Sequence, residues 1–145
     1  MSGLRKVLDE GAPPGVYRWV GADPVGDVRR DVEAAGWGFV LLDTGGVTDK
    51  PGFLDLCATA FDLPRWSGRN WDALAESLGD RSTGEPEVVL WDGWRVLAEG
   101  DPDAFDVALQ IFAEDALGSG QLRVLLHDPG SGADAPAAVA DLPQL

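Results

Sequence analysis

Cations are scarce in this chain. Only 11 of its 145 residues are Lys or Arg, against 25 Asp and Glu, which leaves a net charge of −14 at neutral pH. A field of that sign repels phosphate backbones and attracts cationic surfaces, which argues against direct nucleic-acid binding. Thiols are scarcer still. Cys57 is the only cysteine, so an internal disulfide is excluded and a reducing cytosol is the natural setting. With one cysteine and one histidine, His127, far apart in sequence, a structural zinc site lacks a ligand set. No run of about 18 consecutive apolar residues occurs, so no membrane-spanning helix is encoded. The stretch MSGLRKVLDEG at the start lacks the apolar middle of a signal peptide, and a cytoplasmic location is expected.

What remains suits a globular domain. Apolar residues make up 45% of the chain, six of them Trp. A chain of this length is expected to form one domain and to bury roughly 68–70% of its unfolded surface. The acids are unevenly placed. Residues 72–106 hold ten of them (Asp72, Glu76, Asp80, Glu85, Glu87, Asp92, Glu99, Asp101, Asp103 and Asp106) against two bases, Arg81 and Arg95. An acidic surface is ordinarily explained by solubility. Concentration in one stretch points instead to a surface with a task.

Along the chain, short apolar runs alternate with helical patterns. Residues 16–21 (VYRWVG) suit a strand. Asp23-Pro24 then has the form of a helix start, with Val25, Val28 and Val32 at helical spacing and Gly36 at the stop. Residues 38–43 (GFVLLD) form a near-continuous apolar run, as in a strand covered on both faces. Asp49 with Pro51 starts the next helix. In it Phe53, Cys57 and Phe61 share one face, so Cys57 is expected to be a core thiol. Residues 64–69 (PRWSGR) are a loop, and Asn70 caps a short helix running to about Leu78. Residues 87–92 (EVVLWD) are a third strand. Asp101-Pro102 starts an amphipathic helix with Phe105, Ala108, Leu109, Phe112 and Ala116 inward, stopped by Gly118. Residues 121–127 are the last strand, and a mobile Gly/Ala/Pro/Asp tail is expected beyond Asp128. The order β-α-β-α-α-β-α-β predicts an α/β domain, a small three- to four-stranded parallel sheet flanked by helices.

The candidate site lies in residues 63–78, LPRWSGRNWDALAESL. A helix from Asn70 sets Asp72 and Glu76 one turn apart on one face, with Leu74 and Leu78 on the complementary face. Trp66, on a loop punctuated by Gly68, suits a recognition surface because aromatics dominate interface hot spots. Paired carboxylates also suggest glycoside hydrolysis. That chemistry wants two acids flanking a cleft, usually from different elements, whereas this pair shares one short helix. Cys57 and His127 form no nucleophile pair, and no phosphate-binding glycine loop is present. Gly100-Asp101-Pro102-Asp103 lacks the spacing of a calcium loop. Catalysis is therefore not expected.

The segment resembles one found in barstar-like proteins, intracellular inhibitors of barnase and related guanyl-specific microbial ribonucleases. Matching positions are Leu63, Pro64, Trp66, Gly68, Asn70, Asp72, Ala73, Leu74, Glu76 and Leu78. Downstream, residues 87–94 and AFDVALQIF resemble that family's second strand and third helix. The resemblance implies a single domain over 1–128, comprising a strand–helix extension (1–37) and a family core (38–128), with 129–145 as a tail. It implies a cofactor-free bacterial protein that inhibits a basic secreted ribonuclease one-to-one. The partner-binding residues it implies are Trp66, Ser67, Gly68, Arg69, Asn70, Asp72, Glu76 and Asp106, with Glu76 standing in for a substrate phosphate. A carboxylate suits that role because it accepts paired hydrogen bonds from Arg. The family's residue at position 76 is usually Asp, and at position 66 usually Tyr. The alternative is an immunity or regulatory module on the same fold, directed at a different toxin.

Overall fold

Each strand of the sheet is one of the short apolar runs. The computed structural model describes residues 7–9, 11–21, 23–63, 70–80, 85–127 and 137–144. Their order is β1 (Gly15–Trp19), α1 (Val25–Ala34), β2 (Gly38–Asp43), α2 (Lys50–Ala60), α3 (Trp71–Asp80), β3 (Glu87–Asp92), α4 (Trp94–Gly100), α5 (Pro102–Ser119), β4 (Leu122–His127) and α6 (Ala137–Ala140). The strands form one parallel sheet in the order β1-β4-β3-β2. Parallel neighbours cannot be joined by a tight hairpin, so helices carry the chain back between strands. The expected α/β architecture is present, with the N-terminal strand added beyond β4.

Strand alternation divides the core in two. On one face Val16, Val40, Leu42, Val89, Trp91, Val124 and Leu126 pack with α2, α3, α4 and α5. On the other, Tyr17, Trp19, Val88, Leu90 and Leu125 pack with Val28 and Val32 of α1. Adjacent residues of β3 thus serve opposite layers, which is why the strand is continuously apolar. The larger cluster is knit by rings: Phe53 lies 5.4 Å from Trp91 and 6.5 Å from Phe112, and Trp91 lies 5.4 Å from Phe105. Burying one such side chain contributes about 1.5–3 kcal/mol. Cys57 is fully buried within this cluster.

Helix ends follow the caps in most places. The Asp49 carboxylate accepts from Gly52 N at 3.0 Å, and that of Asp101 accepts from Ala104 N at 3.2 Å, each with Pro in the first turn. Three expectations change. Asp23 does not cap α1, because Pro24 holds the N-cap position with no side-chain bond. Helix α5 passes Gly118 and ends at Gly120, whose φ of 71° is left-handed. The segment Trp94–Gly100, absent from the expected order, forms α4, with Trp94, Leu97 and Ala98 buried at helical spacing.

The tail expected past Asp128 is docked over 137–144. Val139 is fully buried in the larger cluster, and Arg18 N donates to Pro143 O at 2.9 Å.

The carboxyl ends of β2 and β3 are tied together. The Trp91 indole donates to Thr44 Oγ1 at 2.8 Å, and Thr44 Oγ1 donates to Gly93 O at 3.0 Å. Thr44 N donates to Asp92 O at 2.9 Å. Gly93 has φ 67°, and a Cβ there would stand 2.5 Å from Gly45 N, so only glycine lets the two turns meet. No helix of the described residues is long and apolar enough to cross a membrane.

Candidate functional site

Helix α3 is set in place from both ends of its approach. Upstream, α2 closes with Asp62 N donating to Thr59 O at 3.2 Å and Leu63 N donating to Ala58 O at 2.9 Å. Asp62 takes the left-handed φ of 52°, which makes a Schellman stop. The chain therefore leaves α2 by a backbone turn, before Pro64 is reached. The expected contact residues Trp66, Ser67, Gly68 and Arg69 lie outside the described residues. Asn70 starts α3 as expected: its side-chain Oδ1 accepts from Ala73 N at 2.8 Å, and its carbonyl from Leu74 N at 3.0 Å.

The buried stripe of α3 is Leu74 and Leu78, both within the larger core. Trp71 extends it. Its ring lies 5.9 Å from that of Phe53, with Lys50 Nζ 5.5 Å above it. Trp71 is thus a half-buried anchor between α2 and α3, which leaves the solvent side of the helix to the acids. Asp72 and Glu76 are both exposed there. At 100° per residue they stand within about 40° of each other around the axis. Like charges so placed cost a few tenths of a kcal/mol in an isolated helix, and packing of Leu74, Leu78 and Trp71 outweighs that easily.

Between the leucine stripe and the acidic stripe run Ala75 and Gly79. They face α5 across an open groove of about 580 Å³, lined also by Ile111, Glu114, Asp115, Gly118 and Ser119. A Cβ added at Gly79 or Gly118 would meet nothing within 4 Å, so these residues leave space instead of relieving contact. Gln110 Nε2 donates to Glu114 Oε1 at 3.3 Å, steadying one rim. Glu114, which lines this groove, is not among the expected contact residues. Asp106 is exposed on the same outer face of α5 but does not line the groove, and two turns, about 12 Å of rise, separate the two acids. The missing signal was tertiary: which turn of α5 faces α3 depends on how the helices pack.

The charge of these two helices is one-sided. Helix α3 carries Asp72, Glu76 and Asp80 with no base, and α5 carries Asp103, Asp106, Glu114 and Asp115 with no base. Neither has a basic residue in its last turn, so the partial negative charge of each carboxyl end adds to the field. Helix α1, across the sheet, is more balanced, setting Arg29 and Arg30 against Asp27, Asp31 and Glu33.

Groups suited to covalent or acid–base work are committed elsewhere. Burial pushes the Cys57 thiol far above its usual range, so no thiolate is offered. The His127 ring is buried at the end of β4, where Nε2 donates to Gly21 O at 2.7 Å and the ring stacks on Trp19 at 5.0 Å. Among the described residues no three His, Cys, Asp or Glu side chains gather as a metal site. The arrangement offers charge and shape to a partner.

Comparison with known families agrees with this architecture. A family model described as Barstar (barnase inhibitor) matches residues 37–126, which begin just before β2 and end within β4. No curated protein matches the chain. Strand β1 and helix α1 lie before the matched region, and the docked segment 137–144 lies after it. A match over more than half the length, on a parallel α/β sheet with the acidic helix inside the matched region, places this chain in the barstar family.

Proposed function

We propose that this protein inhibits a basic ribonuclease by laying the acidic face of α3 over the enzyme's cationic active site. One observation carries the proposal: Asp72 and Glu76 stand exposed, one turn apart, on a helix whose opposite side is locked into the core. A ribonuclease active site is built to hold phosphate. A carboxylate on a fixed backbone can accept paired hydrogen bonds from its Arg and Lys side chains with little ordering cost. Glu76 is the phosphate mimic and Asp72 supports it. Trp66, with Ser67, Gly68 and Arg69 beside it in sequence, adds the aromatic contact, and Asn70 holds the first turn in shape. On α5 the groove favours Glu114 over Asp106 as the second acid to reach the partner. The family's description as barnase inhibitors supports this choice of partner class. The protein acts as a one-to-one binder in the cytoplasm, with no reaction of its own and no cofactor.

Calorimetric titration against a panel of guanyl-specific ribonucleases tests the proposal. Glu76→Ala should weaken binding by at least ~2 kcal/mol, about 30-fold, with little change in melting temperature. Equal affinity for variant and wild type would remove the phosphate-mimic assignment. Binding to none of the panel would redirect the search to other toxins.

A further inference from the structure

We propose that residues 137–144 are a detachable guard on the outer edge of β1, and that their displacement lets β1 pair with β1 of a second copy. Strand β1 is the last of the sheet, bonded to β4 on one side only. An edge strand presents outward N–H and C=O groups to any other chain unless something covers them. Here the cover comes from the same chain. Arg18 N donates to Pro143 O at 2.9 Å, and Arg18 and Gln144 form a parallel bridge.

The attachment is narrow. Val139 is fully buried in the cluster that also holds Val16, and half-buried Leu142 packs against it, while Ala140, Asp141, Pro143 and Gln144 are exposed. The sequence joining this segment to β4, DPGSGADAP, holds no Val, Leu, Ile, Met or aromatic residue. Among the described residues the hold consists of two aliphatic side chains, Val139 and Leu142, and the backbone bridge to Arg18, so the guard can leave while the four strands stay paired.

A second copy is the occupant that the charge pattern allows. Self-association of a chain at −14 is opposed over most of its surface. Strand β1, GVYRW, has no acid, and its one charged residue is Arg18. Two β1 edges related by a two-fold axis would bring the least like charge together and extend the sheet without a break.

The test uses the full-length chain with Val139→Asp, measured by size-exclusion chromatography with light scattering. Wild type should be a monomer, and the variant, with native far-UV circular dichroism, should form a dimer whose share rises with concentration. Adding Arg18→Pro removes an outward N–H that the β1–β4 ladder does not use, and should return the variant to a monomer. A folded Val139→Asp chain that stays monomeric overturns the proposal. So does a wild type that is already dimeric, or a dimer indifferent to Arg18→Pro. Should Val139→Asp unfold, hydrogen exchange in the wild type decides. The Arg18 amide should exchange at least about tenfold faster than those of Tyr17 and Trp19, which alternation turns toward β4. Equal rates would show that guard and sheet open as one unit and overturn the proposal.

Discussion

Replacing Thr44 by Val removes one hydroxyl from the molecule and almost no volume. That hydroxyl accepts the indole N–H of Trp91 at 2.8 Å and donates to Gly93 O at 3.0 Å. Thr44 and Trp91 are each 0% exposed, so no water replaces the lost partner. A buried donor left unpaired costs about 1–3 kcal/mol, and the part-buried Gly93 carbonyl adds a smaller amount. The expected loss is therefore about 2 kcal/mol. For a domain of this size that lowers the melting temperature by roughly 4–8 °C, with the denaturant slope unchanged. Thr44→Ser keeps the hydroxyl and should lose less than half as much. Thermal and urea unfolding of the three proteins, followed by tryptophan fluorescence, give the comparison. A Thr44→Val chain melting within about 2 °C of wild type would refute the claim that this bond ties the sheet's carboxyl edge together.

Other expectations follow from the same geometry. Asn70→Ala should cost about 1 kcal/mol through loss of the α3 cap. It should also speed amide exchange at Ala73 and weaken ribonuclease binding, because the fraying turn carries Asp72. Glu114→Ala should reduce affinity for the ribonuclease more than Asp106→Ala does, as titration calorimetry would show; the reverse order would remove the groove from the interface. Burial holds the Cys57 pKa far above its unfolded value, so the associated stability is complete below about pH 8.5. As pH rises further the unfolded chain releases its proton and the folded chain does not. Stability should then fall by ~1 kcal/mol over the first pH unit from this group, the slope steepening toward ~1.4 kcal/mol per unit above that. Urea unfolding between about pH 8.5 and 9.5 should show that component, and Cys57→Ala should lack it.

The sequence carried the sheet and most helices because those features are local. An apolar run such as EVVLWD needs cover on both sides whatever its neighbours, and Asp49 and Asp101 each precede a proline-bearing first turn. The inward and outward sides of α3 were legible for the same reason, since helical spacing alone separates Leu74 and Leu78 from Asp72 and Glu76. Helix α4 was missed because it is seven residues long and starts after a left-handed glycine with no side-chain cap. Docking of the segment around Val139 was missed because a few long-range contacts leave no periodic trace in a stretch of mostly small residues. That Glu114 lines the groove was not legible, because helix spacing lists the outward acids of α5 without saying which of them lies opposite Ala75 and Gly79.

The ring contact between Lys50 and Trp71 bears on how this protein can be handled. The chain has two lysines, Lys6 and Lys50, and the second lies 5.5 Å above a ring at the start of α3. A dye or sensor surface coupled through Lys50 therefore sits beside the acidic side of α3, and a cationic matrix attracts the molecule by that side. A reporter placed at Arg30 on α1, across the sheet, leaves the acidic layer presented to solution.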